Sequence, residues 1–154
     1  MKSALKCAQK AYEEGEVPIG AVVVLDGKVI ARGHNRRTRR QMATAHAEIE
    51  AIEKACKKLK SWRISECELY VTLEPCPMCM GAALNARIKK IYFGAYEDKG
   101  RSLTNQIAGA NLLNHKIDVE GGVMEEECRA ILSDFFSSMR AREKAKKQTG
   151  DDEA

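Results

Sequence analysis

The feature that most constrains the fold is an apolar, β-branched run, Ile19-Gly20-Ala21-Val22-Val23-Val24-Leu25, followed at once by Asp26-Gly27. Asp-Gly is a strong signal for a tight two-residue turn, and the segment from Lys28 to Arg32 again has the pattern of a strand. The chain is therefore predicted to begin its sheet with an antiparallel hairpin. An amphipathic helix from Ser3 to about Glu14 precedes the hairpin, and Gly15 ends it.

Downstream of the hairpin, strand and helix patterns alternate. A helix with Thr44 as its cap runs to Leu59, and a buried strand over Leu69–Leu73 leads into a helix from Pro77 to about Asn85. Further strands are predicted at 90–93 and 117–119 and a long helix from Glu125 to about Lys146, whereas residues 96–115 have no clear pattern. The alternation predicts one α/β domain over residues 1–147, three-layer α/β/α with a mixed five-stranded sheet, and a disordered tail over 148–154.

The composition is that of an ordinary globular protein, with 44% hydrophobic and 31% charged residues. No run approaches the ~18 apolar residues of a membrane-spanning helix, and the N-terminal residues contain no apolar signal-peptide core. We therefore expect a cytoplasmic protein with no membrane partner. The net charge of +4 is modest, but basic residues cluster at Arg36–Arg40 and Arg140–Lys147. Such clusters can bind phosphates, although they more often form a solvated face.

A metal site is indicated by two of the six cysteines, Cys76 and Cys79, together with His46. Cys76 and Cys79 lie three residues apart at the start of a predicted helix, so they share one face of it. The positive potential of a helix N-terminus favours the thiolate form that a metal requires. His46 is likewise expected in the first turn of its helix. With no obvious fourth ligand, these three residues predict a zinc site with one open position, which is typical of catalytic zinc.

Glu48 is the informative neighbour of this site. Two positions along a helix correspond to roughly 200° of rotation, so His46 and Glu48 can converge only on a centre beyond the helix N-terminus. A carboxylate beside the metal can take a proton from a bound water and pass it to a substrate. Zinc lowers the pKa of its water from 15.7 to about 7, which makes hydroxide available at neutral pH.

Each motif alone has little specificity, but His-x-Glu followed by Pro-Cys-x-x-Cys is the signature of the zinc nucleobase deaminases. The chain also resembles the bacterial tRNA-specific adenosine deaminases, a family of the cytidine-deaminase-like superfamily, over nearly its whole length. The segments that carry the resemblance are Glu16–Ala21, Gly33–Arg36, Thr44–Glu48, Leu73–Cys79 and Leu132–Phe136.

The resemblance implies a single CMP/dCMP-type deaminase domain with one Zn²⁺ per chain on His46, Cys76 and Cys79, and with Glu48 as the proton shuttle. It further implies that Asn35 contacts a flipped nucleoside and that the helix after Phe136 borders the RNA, so Phe136 and Arg140 are the expected substrate-binding residues. Phe135 and Phe136 cannot both point into the core from one helix, so one of them is expected either to be only partly exposed or to stack on RNA or on the partner subunit. Family members are homodimers that convert the wobble adenosine of an arginine tRNA to inosine, so the implied partners are a tRNA anticodon loop and a second copy of the chain.

Other functions share part of this pattern. A free-base or nucleoside deaminase acting on guanine or cytosine uses the same zinc motif, and the Ser-Asp-Phe-Phe segment with its basic helix argues against it. A non-catalytic RNA-binding subunit has no need of Glu48, and a purely structural zinc module needs a fourth ligand, for which His115 is a weak choice. The segment 96–113 is short and atypical for the family, which affects fine RNA recognition rather than the zinc chemistry.

Overall fold

The computed structural model describes residues 1–97 and 102–151. Its strands are β1 (Gly20–Leu25), β2 (Lys28–His34), β3 (Glu68–Leu73), β4 (Lys90–Ala95) and β5 (Asp118–Glu120). Its helices are α1 (Lys2–Glu13), α2 (Arg37–Arg40), α3 (Ala47–Leu59), α4 (Pro77–Asn85), α5 (Thr104–Gly109) and α6 (Glu125–Asp151), with a 3₁₀ turn at Leu112–Asn114.

The five strands form one mixed sheet in the order β2-β1-β3-β4-β5. β1 pairs antiparallel with both β2 and β3, whereas β3, β4 and β5 run parallel. Asp26 and Gly27 both have positive φ, 50° and 73°, as a type I′ hairpin turn requires. The predicted hairpin and the mixed five-stranded sheet are therefore confirmed.

Helices cover both faces of the sheet. On one face, Leu69 and Val71 of β3 join a large core with α3, α4 and α5. On the other face, Val22 packs against Ala4 and Cys7 of α1, and α6 lies over β4 and β3. Successive residues of a strand point to opposite faces, so the alternation along β1 and β3 builds both layers at once.

Two glycines let helices approach the sheet closely. A Cβ on Gly33 would lie 2.8 Å from the Ala51 nitrogen and closer still to the Ala47 carbonyl oxygen. A Cβ on Gly94 would lie 2.8 Å from the Thr72 carbonyl oxygen and would overlap Cys128 of α6. Any side chain at these positions would push α3 or α6 outward.

Several element boundaries differ from those predicted. α3 is capped by His46 rather than Thr44, because the Thr44 carbonyl accepts the His46 N–H within a turn, at 2.7 Å. α5 lies in the segment for which no pattern was found. α6 continues to Asp151, beyond its predicted end at about Lys146, and 152–154 lie outside the described residues. Within residues 1–97 and 102–151, no helix has the length and apolarity needed to span a bilayer.

Candidate active site

The site lies where α3 and α4 begin, beyond the end of β3. His46 and Cys76 are the N-cap residues of these helices, and both have extended backbone angles, with φ/ψ of −85°/154° and −71°/165°. Pro77 at the first helical position fixes the start of α4. Since neither N-cap residue is within its helix, their side chains can project past the helix ends into a shared space, as predicted for a centre off the N-terminus of α3.

Three potential metal ligands meet in this space. The His46 Nδ1 atom is 3.7 Å from the Cys76 Sγ atom and 3.6 Å from the Cys79 Sγ atom, and all three atoms lie within 4.8 Å of one another. A tetrahedral zinc with bonds of about 2.3 Å to sulfur and about 2.0 Å to nitrogen separates such ligand atoms by about 3.6 Å. The spacing therefore fits a zinc ion, and no other group of metal-ligating side chains is found in the described parts of the chain.

The thiols are electrostatically poised for a cation. A hydrogen bond from Cys79, together with His46, lowers the pKa of the Cys76 thiol to about 4. The same shared hydrogen bond raises the pKa of Cys79, because the pair holds one proton between them. The hydrogen bond to Cys76 also raises the pKa of His46. A site that already stabilises one thiolate is suited to a divalent metal ion.

Glu48 lies beside this ligand set in a cavity of about 290 Å³. Only 4% of Glu48 is exposed, and this burial raises the pKa of its carboxyl to about 7. The apolar part of the cavity wall is formed by Ile19, Leu73 and Pro75. The polar lining residues include Glu48, Glu74 and Glu97. The cavity volume is near the lower end of small-molecule sites, about 300 Å³, which suits a single base or nucleoside.

Asn35, the predicted nucleoside contact, lines a small adjoining cavity with His46 and Glu48. Its Nδ2 atom donates to the Val17 carbonyl and its Oδ1 atom accepts the Arg37 N–H, both at 3.2 Å. An amide side chain has two N–H groups and two acceptor positions on oxygen, so one of each remains for a ligand. The structure thus brings Asn35 to the same site as His46 and Glu48.

The two predicted residues of α6 are placed differently from each other. Phe136 is 40% exposed and lines a cavity of about 520 Å³ that shares Leu73 and Glu97 with the central one. Its neighbour Phe135 is buried edge-on against Tyr12, so one phenylalanine packs inward and the other faces the cavity. Arg140 is exposed one turn further on, where it donates to the Ser137 hydroxyl at 3.1 Å, and it does not line this cavity.

Two buried carboxylates that the sequence did not single out organise the loops around the site. Glu74 accepts the Glu97 N–H at 3.0 Å and also the Ser102 hydroxyl, which draws the segment after β4 to the cavity. Glu16, 2% exposed, accepts the backbone N–H groups of Thr38 and Arg39 at the start of α2. The available signal was a charged residue next to an apolar run, at Glu16-Val17-Pro18 and Leu73-Glu74-Pro75.

The other histidines do not join the ligand set. His34 ends β2, and its Nε2 atom is 3.0 Å from a Glu14 carboxylate oxygen. His115 bonds the Ile88 carbonyl at 2.7 Å. The ligand set of the described residues therefore retains three members.

Comparison with known proteins agrees with this site. The model of the MafB19-like deaminase family matches residues 1–140. A tRNA-specific adenosine deaminase of Bacillus subtilis (strain 168) is 50% identical over 148 residues, which span 94% of this chain and 91% of that protein. A solved structure from a study of A-to-I editing by tRNA:A34 deaminases is 46% identical, with a TM-score of 0.78 over 86% of this chain and 97% of that one. The guanine deaminase of Nitrosomonas europaea is 25% identical, with a TM-score of 0.76 over 87% of this chain and 81% of that one.

The fold and the site thus define a deaminase. Within that class, the chain belongs to the family of the tRNA-specific adenosine deaminases, which confirms the resemblance seen in the sequence.

Proposed function

We propose that this protein catalyses the zinc-dependent hydrolytic deamination of adenosine to inosine at the wobble position of a tRNA anticodon loop, in the cytoplasm. The observation that carries the proposal is the meeting of His46, Cys76 and Cys79 with a buried Glu48 in one base-sized cavity. It is supported by 50% identity to a tRNA-specific adenosine deaminase over almost the full length of both chains.

His46 Nδ1, Cys76 Sγ and Cys79 Sγ would hold one zinc ion per chain. Bound there, zinc supplies a Lewis acid that lowers the pKa of water to about 7. Three protein ligands, rather than the four of a structural site, are typical of catalytic zinc.

Glu48 provides the acid–base step in this mechanism. Its carboxylate accepts a proton from the attacking water and passes it to a purine ring nitrogen. It then takes the second proton from the hydroxyl now on the ring carbon and passes it to the amine, which leaves as ammonia. Adenosine and water are thereby converted to inosine and ammonia. The burial of Glu48 keeps bulk water from competing for these transfers.

The surrounding residues hold the nucleotide. A wobble adenosine is already unpaired, so moving it out of its stack into the cavity costs little. The free N–H and acceptor position of Asn35 bind the nucleoside, and the exposed ring of Phe136 stacks on a flanking base. Arg140, beyond the cavity, binds a backbone phosphate.

The proposal is tested with an anticodon stem-loop that carries a wobble adenosine, with inosine formation as the readout. The Glu48→Ala variant should lose about 10²- to 10⁴-fold in rate, the contribution of a positioned acid–base group, while retaining its zinc. A variant that keeps its rate would remove Glu48 from this role. Ammonia released from free guanine or cytosine, with no inosine in the RNA, would instead identify a free-base deaminase.

Metal content provides a second test. Cys76→Ser should purify with little zinc and unfold at a lower temperature than the unmodified protein, because the ion connects the starts of α3 and α4. Elemental analysis and thermal unfolding with and without a chelator measure both effects. Normal zinc content in Cys76→Ser would show that this ligand assignment is wrong.

We also propose that two copies associate through the face formed by α3 and α4. Trp62 is 66% exposed, and the Cζ atom of Arg87 lies 5.9 Å from its ring centroid. With Leu113, 51% exposed, it borders a shallow groove of about 590 Å³. Clustered large apolar side chains at a surface are typical of an interface. Light scattering should give a dimer mass for the unmodified chain and a monomer mass for Trp62→Glu.

A further inference from the structure

We propose that α2 is a phosphate-binding element, in which Arg37 and Arg40 contact the RNA backbone next to the adenosine that enters the cavity. This inference rests on the proposed function and extends it, because it assigns RNA contacts to a part of the chain remote in sequence from α6.

Arg37 lies next to the reacting centre. Arg37 lines the small cavity that also contains Asn35, His46 and Glu48. With Thr38 and Gln41, among others, it also lines an open depression of about 330 Å³ along α2. Arg37 therefore borders both the cavity at the reacting centre and the depression along α2, where a nucleotide attached to the bound base can lie.

The four arginines of this segment differ in their ion pairs. Arg36 is paired with Glu50, at 2.5 Å, which Lys54 also binds at 3.0 Å, and Arg39 is paired with Glu14, at 3.2 Å. Arg37 and Arg40 are both exposed, and neither has a carboxylate partner among the residues that the structure describes. Two of the four cations are thus used within the protein and two are available to an anion.

The two available arginines offset the negative charge of the central cavity. Besides Glu48, its lining includes Glu74 and Glu97, whose carboxylates repel a polyanion. A nucleic acid can deliver a base to such an acidic site only if cations at the margin compensate its phosphates. Arg37 lies at that margin.

The backbone of α2 is also held in place by hydrogen bonds. The buried carboxylate of Glu16 accepts the N–H groups of Thr38, at 3.2 Å, and Arg39, at 2.5 Å. Asn35 Oδ1 accepts the Arg37 N–H. The backbone that carries both available arginines is therefore fixed before RNA binds, which reduces the entropy lost on association.

The test compares Arg37→Gln/Arg40→Gln with a control that removes the same charge elsewhere, Lys6→Gln/Lys10→Gln. Lys6 and Lys10 are exposed on α1, over the opposite face of the sheet from α3. The dissociation constant of a labelled anticodon stem-loop is measured between about 50 and 200 mM salt, and the steady-state rate of inosine formation is measured alongside.

Two lost phosphate contacts should reduce the log–log salt slope by about 1.4, since each contributes about 0.7 on a single strand. KM should rise roughly tenfold with kcat unchanged, because the arginines position the backbone rather than the base. Arg37→Lys/Arg40→Lys should recover most of the slope, and the α1 control should leave it near the original value.

A slope and KM equal to those of the unmodified protein would overturn the inference, as would an equal loss in the α1 control, which would reveal only a general charge effect. Failure of the proposed function is a separate result, seen in the unmodified protein as an absence of inosine in the RNA.

Discussion

The Gly33→Ala substitution should disturb the metal site although residue 33 is not a ligand. Gly33 lies in β2 under the first turn of α3, the helix whose N-cap is His46. An added Cβ would lie 2.8 Å from the Ala51 nitrogen, whereas ordinary contacts begin at 3.4 Å. The start of α3 must therefore retreat by at least about 0.6 Å, and His46 must move with it.

The expected effect on the metal is large compared with what zinc tolerates. Its ligand distances vary by only about 0.2 Å, so a retreat of this size would strain the bonds by which the proposed zinc ion joins His46 on α3 to the two cysteines on α4. Overpacking of a core costs about 1–3 kcal/mol, which for a chain of this length corresponds to a melting temperature lower by roughly 3–10 °C. Zinc affinity should fall as well.

The assay is competition for zinc with a coloured chelator, together with thermal unfolding. Gly109→Ala is the control, because a Cβ at this exposed position on α5 meets no atom within 4 Å. The control should match or slightly exceed the stability of the unmodified protein. If Gly33→Ala bound zinc and melted as the control does, the argument from close helix approach would be refuted.

Further predictions concern the two carboxylates that anchor the segment before α3. Glu16→Ala should lower stability by about 1–3 kcal/mol in urea unfolding, because two N–H groups of α2 lose their acceptor; Glu13→Ala, on exposed α1 surface, is the control and should change little. Burial opposes ionisation of Glu50, but the His34 amide, Lys54 and Arg36 hold the pKa of its carboxyl below the ordinary 4.5. The stability it contributes is thus present above pH 4.5 and lost as the pH falls below it. Glu50→Gln should flatten this acid limb in unfolding experiments from pH 6 to about 3, and an unchanged limb would contradict the assignment.

Local signals explain the elements that were predicted correctly. Asp26-Gly27 accepts the positive φ of the hairpin turn, and Pro77 fits the first position of α4, so both features are encoded within a few residues. The meeting of His46, Cys76 and Cys79 was predictable for the same reason, because His46 belongs to one short motif and Cys76 and Cys79 belong to another.

Long-range contacts explain what was missed. The Arg36 N–H is bound by the Ala45 carbonyl, so the backbone before α3 is folded back on the end of β2 and the helix starts after Thr44 rather than at it. The role of Glu16 as an acceptor for α2 depends on residues more than twenty positions away. Such long-range bonds leave no trace in the local sequence pattern. The same is true of the ion pair between Arg36 and Glu50, which leaves the neighbouring Arg37 available.

The strand order has a consequence for aggregation. A sheet in the order β2-β1-β3-β4-β5 has two free edges, and an unprotected edge invites pairing with another chain. At one edge, β5 is only three residues long and presents the charged side chains of Asp118 and Glu120. At the other edge, β2 carries exposed Lys28 and Arg32, and Lys54 Nζ donates to the Arg32 carbonyl at 3.0 Å. Short length, charge and a filled carbonyl all disfavour edge-to-edge growth, so copies of this protein that associate should do so through helices rather than by extending the sheet.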